Sequence, residues 1–160
     1  MKSFETIKLE LNDYQLWQKS NQNKRFSLYD YIHGLLQVGE LSSDICIAFL
    51  KLFRPDFIMI NGNIFLLEEY SQKKYNDLNN NGYSGRELEY WLNLLNIDCY
   101  FETPKEDFNI DKCLVFAHEL TKAWSVKLHQ EFSEREFEVI CIDETGDNDE
   151  KEIYITFFQK

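Results

Sequence analysis

The spacing of apolar residues predicts helices along much of the chain. Residues 111–130 form the longest predicted helix, and its apolar positions recur every three or four residues: Cys113, Phe116, Ala117, Leu120, Trp124 and Leu128. Shorter stripes of the same kind follow Ser42 and Ser84, and two further helices are predicted near residues 12–20 and 28–38. Residues 68–75 are also predicted to be helical, whereas the polar run 76–82 is predicted to be a loop.

Capping signals support the predicted starts of these helices. A Ser or Thr stands three residues ahead of an acid in the segments 27–30, 84–87 and 103–106. In a capping box the hydroxyl accepts from a backbone N–H of the first turn, and the acid accepts from the cap residue itself. Gly39 can end the helix that begins after Ser27, and Arg54-Pro55 ends the one after Ser42.

Two β-hairpins interrupt the helices. Residues 56–60 and 63–67 are rich in strand-forming residues and are joined by Asn61-Gly62, which favours a tight turn with two positive φ angles. Near 136–158, two alternating runs flank a polar turn, and one inward face is predicted to carry Phe137, Val139, Cys141, Ile153, Ile155 and Phe157. The pattern predicts an α+β fold in one globular domain over residues 1–160.

Composition and charge narrow the functional classes. The chain has 160 residues, of which 44% are hydrophobic, and it contains only six glycines and two prolines, which excludes an intrinsically disordered protein. A net charge of −11 argues against binding nucleic acid or anionic lipid, and no segment approaches the ~20 apolar residues of a membrane span. No signal-peptide core is visible near Met1, so we expect a cytoplasmic protein with reduced cysteines.

Catalytic and metal-binding signatures are missing from the sequence. It contains no phosphate-binding glycine loop and no paired metalloprotease histidines. Residues 143–154 do not match a calcium loop, because the sixth position is Asn148 instead of glycine and the twelfth is Tyr154 instead of glutamate. We therefore expect no cofactor, no metal and no catalytic residue. The alternative is a small enzyme that uses His118 and Glu119 as acid and base, although adjacent helical residues point about 100° apart.

The negative charge is concentrated in one part of the chain. Residues 131–152 contain ten acidic and two basic residues, so they carry −8 of the total −11. Such a block is either a solvated surface or a docking surface that attracts a basic protein. On the second interpretation the partner-binding residues are Glu134, Glu136, Glu138, Asp143, Glu144, Asp147, Asp149, Glu150 and Tyr154.

Two motifs resemble segments of a group of small uncharacterised bacterial proteins. One is W-x-x-K-L-x-x-x-F-x-x-x-x-F-x-V, which begins at Trp124 and ends at Val139. The other is F-x-P-x-F from Phe53 to Phe57, followed by Asn61-Gly62 and an apolar strand. Several proteins of this group are similar in size and acidity to immunity proteins of bacterial polymorphic or contact-dependent toxin systems. The motif residues themselves have a structural character.

The resemblance implies an immunity-type protein that binds and neutralises a cognate toxin, with a basic nuclease as the expected toxin class. Its acidic surface would then occupy the place of substrate phosphates. Besides the enzyme already named, a structural or adaptor module remains an alternative, in which the acidic block only keeps the protein soluble. The oligomeric state is left open by the sequence.

Overall fold

Helices and two small antiparallel sheets make up the part of the chain that the computed structural model describes, residues 11–21, 26–102, 109–145 and 151–160. The helices are α1 (Asn12–Ser20), α2 (Leu28–Gln37), α3 (Ser43–Phe53), α4 (Gln72–Asn80), α5 (Gly85–Leu92) and α6 (Ile110–Glu131). The strands are β1 (Phe57–Ile60), β2 (Asn63–Leu66), β3 (Leu95–Asn96), β4 (Phe137–Thr145) and β5 (Lys151–Gln159). The predicted α+β class is confirmed.

The described residues fall into two compact units, one within residues 1–50 and the other within residues 51–160. In the first unit Trp17 is the centre of an aromatic group, since its ring centroid lies 4.9 Å from that of Phe26 and 5.5 Å from that of Tyr31. None of the described side chains in α1 or α2 is fully buried. In α3, Ile45 and Ala48 of the predicted apolar stripe are exposed. Whether the chain forms one domain stays a prediction.

In the second unit the first predicted hairpin is confirmed. Strands β1 and β2 pair antiparallel, and the turn between them has φ +50° at Asn61 and φ +85° at Gly62. Asparagine and glycine tolerate this left-handed backbone better than other residues, which is why the dipeptide predicts the turn.

The C-terminal hairpin is also confirmed, and it belongs to a sheet with the strand order β3-β5-β4. The predicted inward residues of β5 are completely buried against the α6 residues Ala117, Leu120, Trp124 and Leu128. On β4, Phe137, Val139 and Cys141 pack against the same core, as predicted. Strand β3 and the 3₁₀ turn Asp98–Tyr100 that follows it carry no strong sequence signal and were not predicted.

Helix α4 replaces the loop that the sequence predicts for residues 76–82. Ser71 caps this helix by accepting from the Lys74 N–H, and the helix continues to Asn80. Tyr75 is buried in a second core with Phe65, and Leu78 packs against that core. The prediction was wrong because packing of these two apolar residues outweighs the low helix propensity of the asparagines.

Helix caps follow the predictions in part. Ser27 and Asp30 form the predicted capping box at the start of α2. At α5 the helix begins where predicted, but Ser84 makes no capping hydrogen bond, so the box predicted there is wrong. Gly85 has φ +52° instead of a helical value, and the chain therefore enters α5 in another direction. The third predicted box, residues 103–106, lies outside the described residues.

Two buried polar side chains, Glu89 in α5 and Asn93 directly after it, join the two sheets. Glu89 accepts hydrogen bonds from the backbone N–H groups of Ile64 (2.7 Å) and Gln159 (2.6 Å). Asn93, one turn later, accepts from the Leu66 N–H (2.9 Å) and donates to the carbonyls of Ile64 (3.0 Å) and Phe157 (3.1 Å). These side chains occupy edge positions of β2 and β5 where another strand would otherwise pair.

The residues of the two sequence motifs meet at the end of α3. The Trp124 indole N–H donates to the carbonyl oxygen of Leu52 at 2.8 Å. Lys127 is buried, and its ammonium group donates to the carbonyl oxygens of Arg54 and Pro55. These contacts position α6 against the chain that leads into β1. The motif residues Trp124 and Lys127 therefore have the structural role that the sequence indicates.

Candidate functional site

The side chains of the C-terminal hairpin alternate between a core face and an opposite face. Directly paired residues on the opposite face are Glu138 with Phe158, Ile140 with Thr156, Ile142 with Tyr154, and Glu144 with Glu152. We call these eight side chains the outer hairpin face. Helix α5 packs at its Glu138–Phe158 end, where the Thr156 hydroxyl donates to the Tyr90 carbonyl at 2.8 Å and the Arg86 guanidinium lies 4.1 Å from the Phe158 ring centroid.

The described members of the acidic block do not form one patch. Glu138 and Glu144 are six residues apart on β4, which corresponds to about 20 Å along an extended strand. At the near end, Glu138 forms an ion pair with Arg86 at 3.4 Å, and Glu131 pairs with Lys127 at 3.2 Å. The remaining acids at this end, Glu134 and Glu136, are exposed in the connection from α6 to β4.

At the far end, which we call the acidic end, Glu144 and Glu152 lie on the outer hairpin face, and Asp143, which pairs with Ile153, lies on the opposite face of the strand. Glu144 and Glu152 are direct cross-strand partners, and both are exposed, as is Asp143. Among the Lys and Arg side chains that the structure describes, none lies within salt-bridge distance, 4.0 Å, of any of the three. Like charges directly opposite each other in a sheet are destabilising, so this pair lowers the stability of the hairpin.

Tyr154 connects the acidic end to an apolar strip. Its hydroxyl donates to the Glu152 carboxylate at 2.9 Å, and this hydrogen bond raises the pKa of Tyr154 above its ordinary value. Next to it on the outer hairpin face lie Ile140 and Ile142, which are half-buried and belong to neither core. The arrangement therefore places apolar surface beside carboxylates that have no ion-pair partner among the described side chains.

Three of the predicted partner-binding residues, Asp147, Asp149 and Glu150, lie outside the described residues. Of the other six, the structure groups Asp143, Glu144 and Tyr154 at one end of the hairpin and places Glu134, Glu136 and Glu138 at the other. The sequence analysis missed Ile140, Ile142 and Glu152. A usable signal was present, because β4 has apolar residues at both odd and even positions, which indicates a strand with apolar surface on two faces.

The alternative site consists of His118 and Glu119 on α6. His118 is half-buried on α6, and burial lowers its pKa below the ordinary value, with a further lowering from Lys122. The Glu119 carboxylate accepts a hydrogen bond from Lys122 at 2.7 Å on the exposed side of the helix. An acid–base role for His118 and Glu119 stays a prediction.

Burial makes two of the four cysteines, Cys113 and Cys141, weakly reactive. All four cysteines are free, and burial raises the pKa of Cys113 to about 12 and that of Cys141 to about 11. Thiols with such pKa values are poor nucleophiles at neutral pH. Within the described ranges, no three His, Cys, Asp or Glu side chains are arranged to hold a metal ion, and no helix is long and apolar enough to cross a bilayer.

Comparison with known proteins finds no matching family model, no similar curated protein and no similar solved structure.

Proposed function

We propose that this protein is an immunity-type protein that binds and neutralises a cognate bacterial toxin through the acidic end of its C-terminal hairpin. The expected partner is a basic toxin domain, and a nuclease fits best because its phosphate-binding surface is complementary to clustered carboxylates. The proposal joins the resemblance of the two sequence motifs to the geometry of the outer hairpin face.

One observation carries the proposal, namely the direct pairing of Glu144 with Glu152 and the absence of a described cation beside them. The pair costs stability in the free protein, and a Lys or Arg of a partner would relieve the repulsion. Features that break a local rule of stability are expected at functional sites.

The neighbouring apolar strip supports the same proposal. Protein interfaces combine charged groups, which steer the encounter, with a few buried apolar or aromatic anchors. Tyr154 lies two positions from Glu152 and Ile142 two positions from Glu144, and Ile140 follows Ile142 on the same face, so these three side chains can supply such anchors. The near end of the hairpin contributes less, because Glu138 already has a cation in Arg86.

The test is copurification of this protein with the toxin domain encoded beside its gene. A double charge reversal, Glu144→Lys with Glu152→Lys, is expected to weaken binding about tenfold to a hundredfold, and added salt is expected to weaken binding by the wild type. The matched control reverses Glu68 and Glu69, which are exposed acids outside the hairpin, and is expected to bind like the wild type. Equal affinity of both double variants would refute the acidic-end interface. If this protein neither binds the toxin domain nor inhibits its activity, the immunity function is refuted.

A further inference from the structure

Within the part of the chain that the structure describes, strand β4 has an open edge. In the strand order β3-β5-β4 it is the last strand, and its nine residues pair on one side only, with β5. No described residue outside β5 forms a hydrogen bond to the backbone of residues 137–145. The opposite edge of the sheet is closed in three ways: by β3, by Asp98, and by the Glu89 and Asn93 side chains.

The hydrogen bonds of β5 show which β4 groups point to this edge. Ile153 bonds through its N–H to Asp98 and through its carbonyl to the Ile97 N–H, and the Phe157 carbonyl accepts from Asn93. The odd-numbered residues of β5 thus turn their backbone groups away from β4. Since antiparallel partners share this orientation, the β4 residues whose N–H and C=O groups face the open edge are Phe137, Val139, Cys141, Asp143 and Thr145.

Three usual protections of an edge strand, namely proline, lysine and a β-bulge, are missing on β4. It contains no proline and no lysine, and its register with β5 runs without a bulge from Phe137 to Thr145. Its charged residues are all acidic: Glu138, Asp143 and Glu144. A second copy of β4 paired at this edge would bring like charges together, whereas a basic strand would meet complementary charges.

We propose that the partner binds by adding a strand to the open edge of β4, and that this strand is an extended basic segment. Its side chains on the outer hairpin face would lie beside Glu138, Ile140, Ile142 and Glu144, which follow each other at every second position. Glu144 would be the main contact for a basic side chain, because Glu138 would be shared with Arg86. The segment therefore has the pattern basic-x-apolar-x-apolar-x-basic, where x is any residue that faces the other side. This inference rests on the proposed function, since it names how the same hairpin recognises its basic partner.

The first test uses two synthetic peptides, acetyl-KTVTVTK-amide and its acidic counterpart acetyl-ETVTVTE-amide, and measures amide hydrogen exchange by NMR. In the free protein we expect fast exchange at Val139, Cys141 and Asp143, and slow exchange at Ile140 and Ile142, whose N–H groups face β5. The basic peptide at about four times its Kd should slow exchange of the first three amides about fivefold. The acidic peptide should leave them unchanged.

A pair of variants separates strand addition from simple charge attraction. Asp143→Pro removes an edge-facing N–H and leaves the β4–β5 hydrogen bonds in place, so it should abolish protection by the basic peptide. Asp143→Asn removes the same charge and keeps the N–H, so it should retain that protection. Circular dichroism and the dispersion of the β5 amide signals check that both variants keep the fold.

Each alternative outcome contradicts the inference in a recognisable way. Absence of protection at the three edge amides, or equal protection by both peptides, overturns strand addition by a basic segment. Concentration-dependent protection without peptide, together with a dimer in sedimentation velocity, assigns the edge to a second copy of this chain. If Asp143→Pro leaves toxin binding unchanged while the Glu144/Glu152 reversal abolishes it, strand addition fails and the proposed function stands.

Discussion

The buried amide of Asn93 offers the sharpest test of how the second unit is held together. Asn93 is completely buried and forms three hydrogen bonds to backbone groups of β2 and β5. The substitution Asn93→Ala leaves one buried N–H and two buried carbonyl oxygens without their partner. A buried polar group that loses its partner costs about 1–3 kcal/mol, and a total of about 3–5 kcal/mol is expected once local relaxation is allowed for.

This loss is large compared with the total stability of a typical domain, about 5–15 kcal/mol. Urea unfolding followed by the fluorescence of buried Trp124 measures the free energy of unfolding. The control is Asn80→Ala, which makes the same change at an exposed position of α4 and should alter the free energy by less than about 0.5 kcal/mol. A loss below about 1 kcal/mol for Asn93→Ala would show that the amide does not hold the two strand edges together.

Three further predictions follow from single contacts. Lys127→Met should lower the free energy of unfolding by about 2–4 kcal/mol, because it removes the donor for two carbonyl oxygens at the end of α3. The control Lys122→Met, at an exposed position, should change it by less than about 0.5 kcal/mol. Similar free energies for the two variants in urea unfolding would contradict the buried role of Lys127. Glu144→Lys should raise the free energy of unfolding by about 0.2–1 kcal/mol, because it replaces a like-charge cross-strand pair with an opposite-charge pair, and a decrease would refute the assigned register. Iodoacetamide at pH 8 should label exposed Cys99 well before Cys113, whose pKa burial raises to about 12; equal labelling by mass spectrometry would contradict that burial.

Where local interactions decide the structure, the sequence predicts it well. The Asn61-Gly62 turn, the capping box at Ser27 and the alternation in β4 and β5 all depend on residues close together in the chain. Helix α6 is predicted because its apolar residues repeat every three or four positions over a stretch long enough to exclude the alternating pattern of a strand. The capping box predicted at Ser84 does not form, because Gly85 has φ +52° instead of a helical value.

Distant contacts decide what the sequence does not predict. Residues 76–80 are helical because Tyr75 and Leu78 pack against a core that contains Phe65. The carboxylate of Glu89 is buried against two backbone N–H groups that lie 25 and 70 positions away along the chain. A local pattern cannot show such partners. A polar residue in a helix is ordinarily read as exposed, and only the position of other strands shows otherwise.

The sequence by itself determined the α+β class, both hairpins and the concentration of acids between residues 131 and 152, because these depend on composition and on periods of two and 3.6 residues. Only the tertiary structure showed that the described acids of this block divide into two groups, that Glu144 faces Glu152, and that β4 ends its sheet. The reason is that strand register and strand order are set by pairing between residues distant in the chain. The charge that the sequence places in residues 131–152 is thus narrowed, in the structure, to the acidic end of the hairpin and the open edge of β4 beside it.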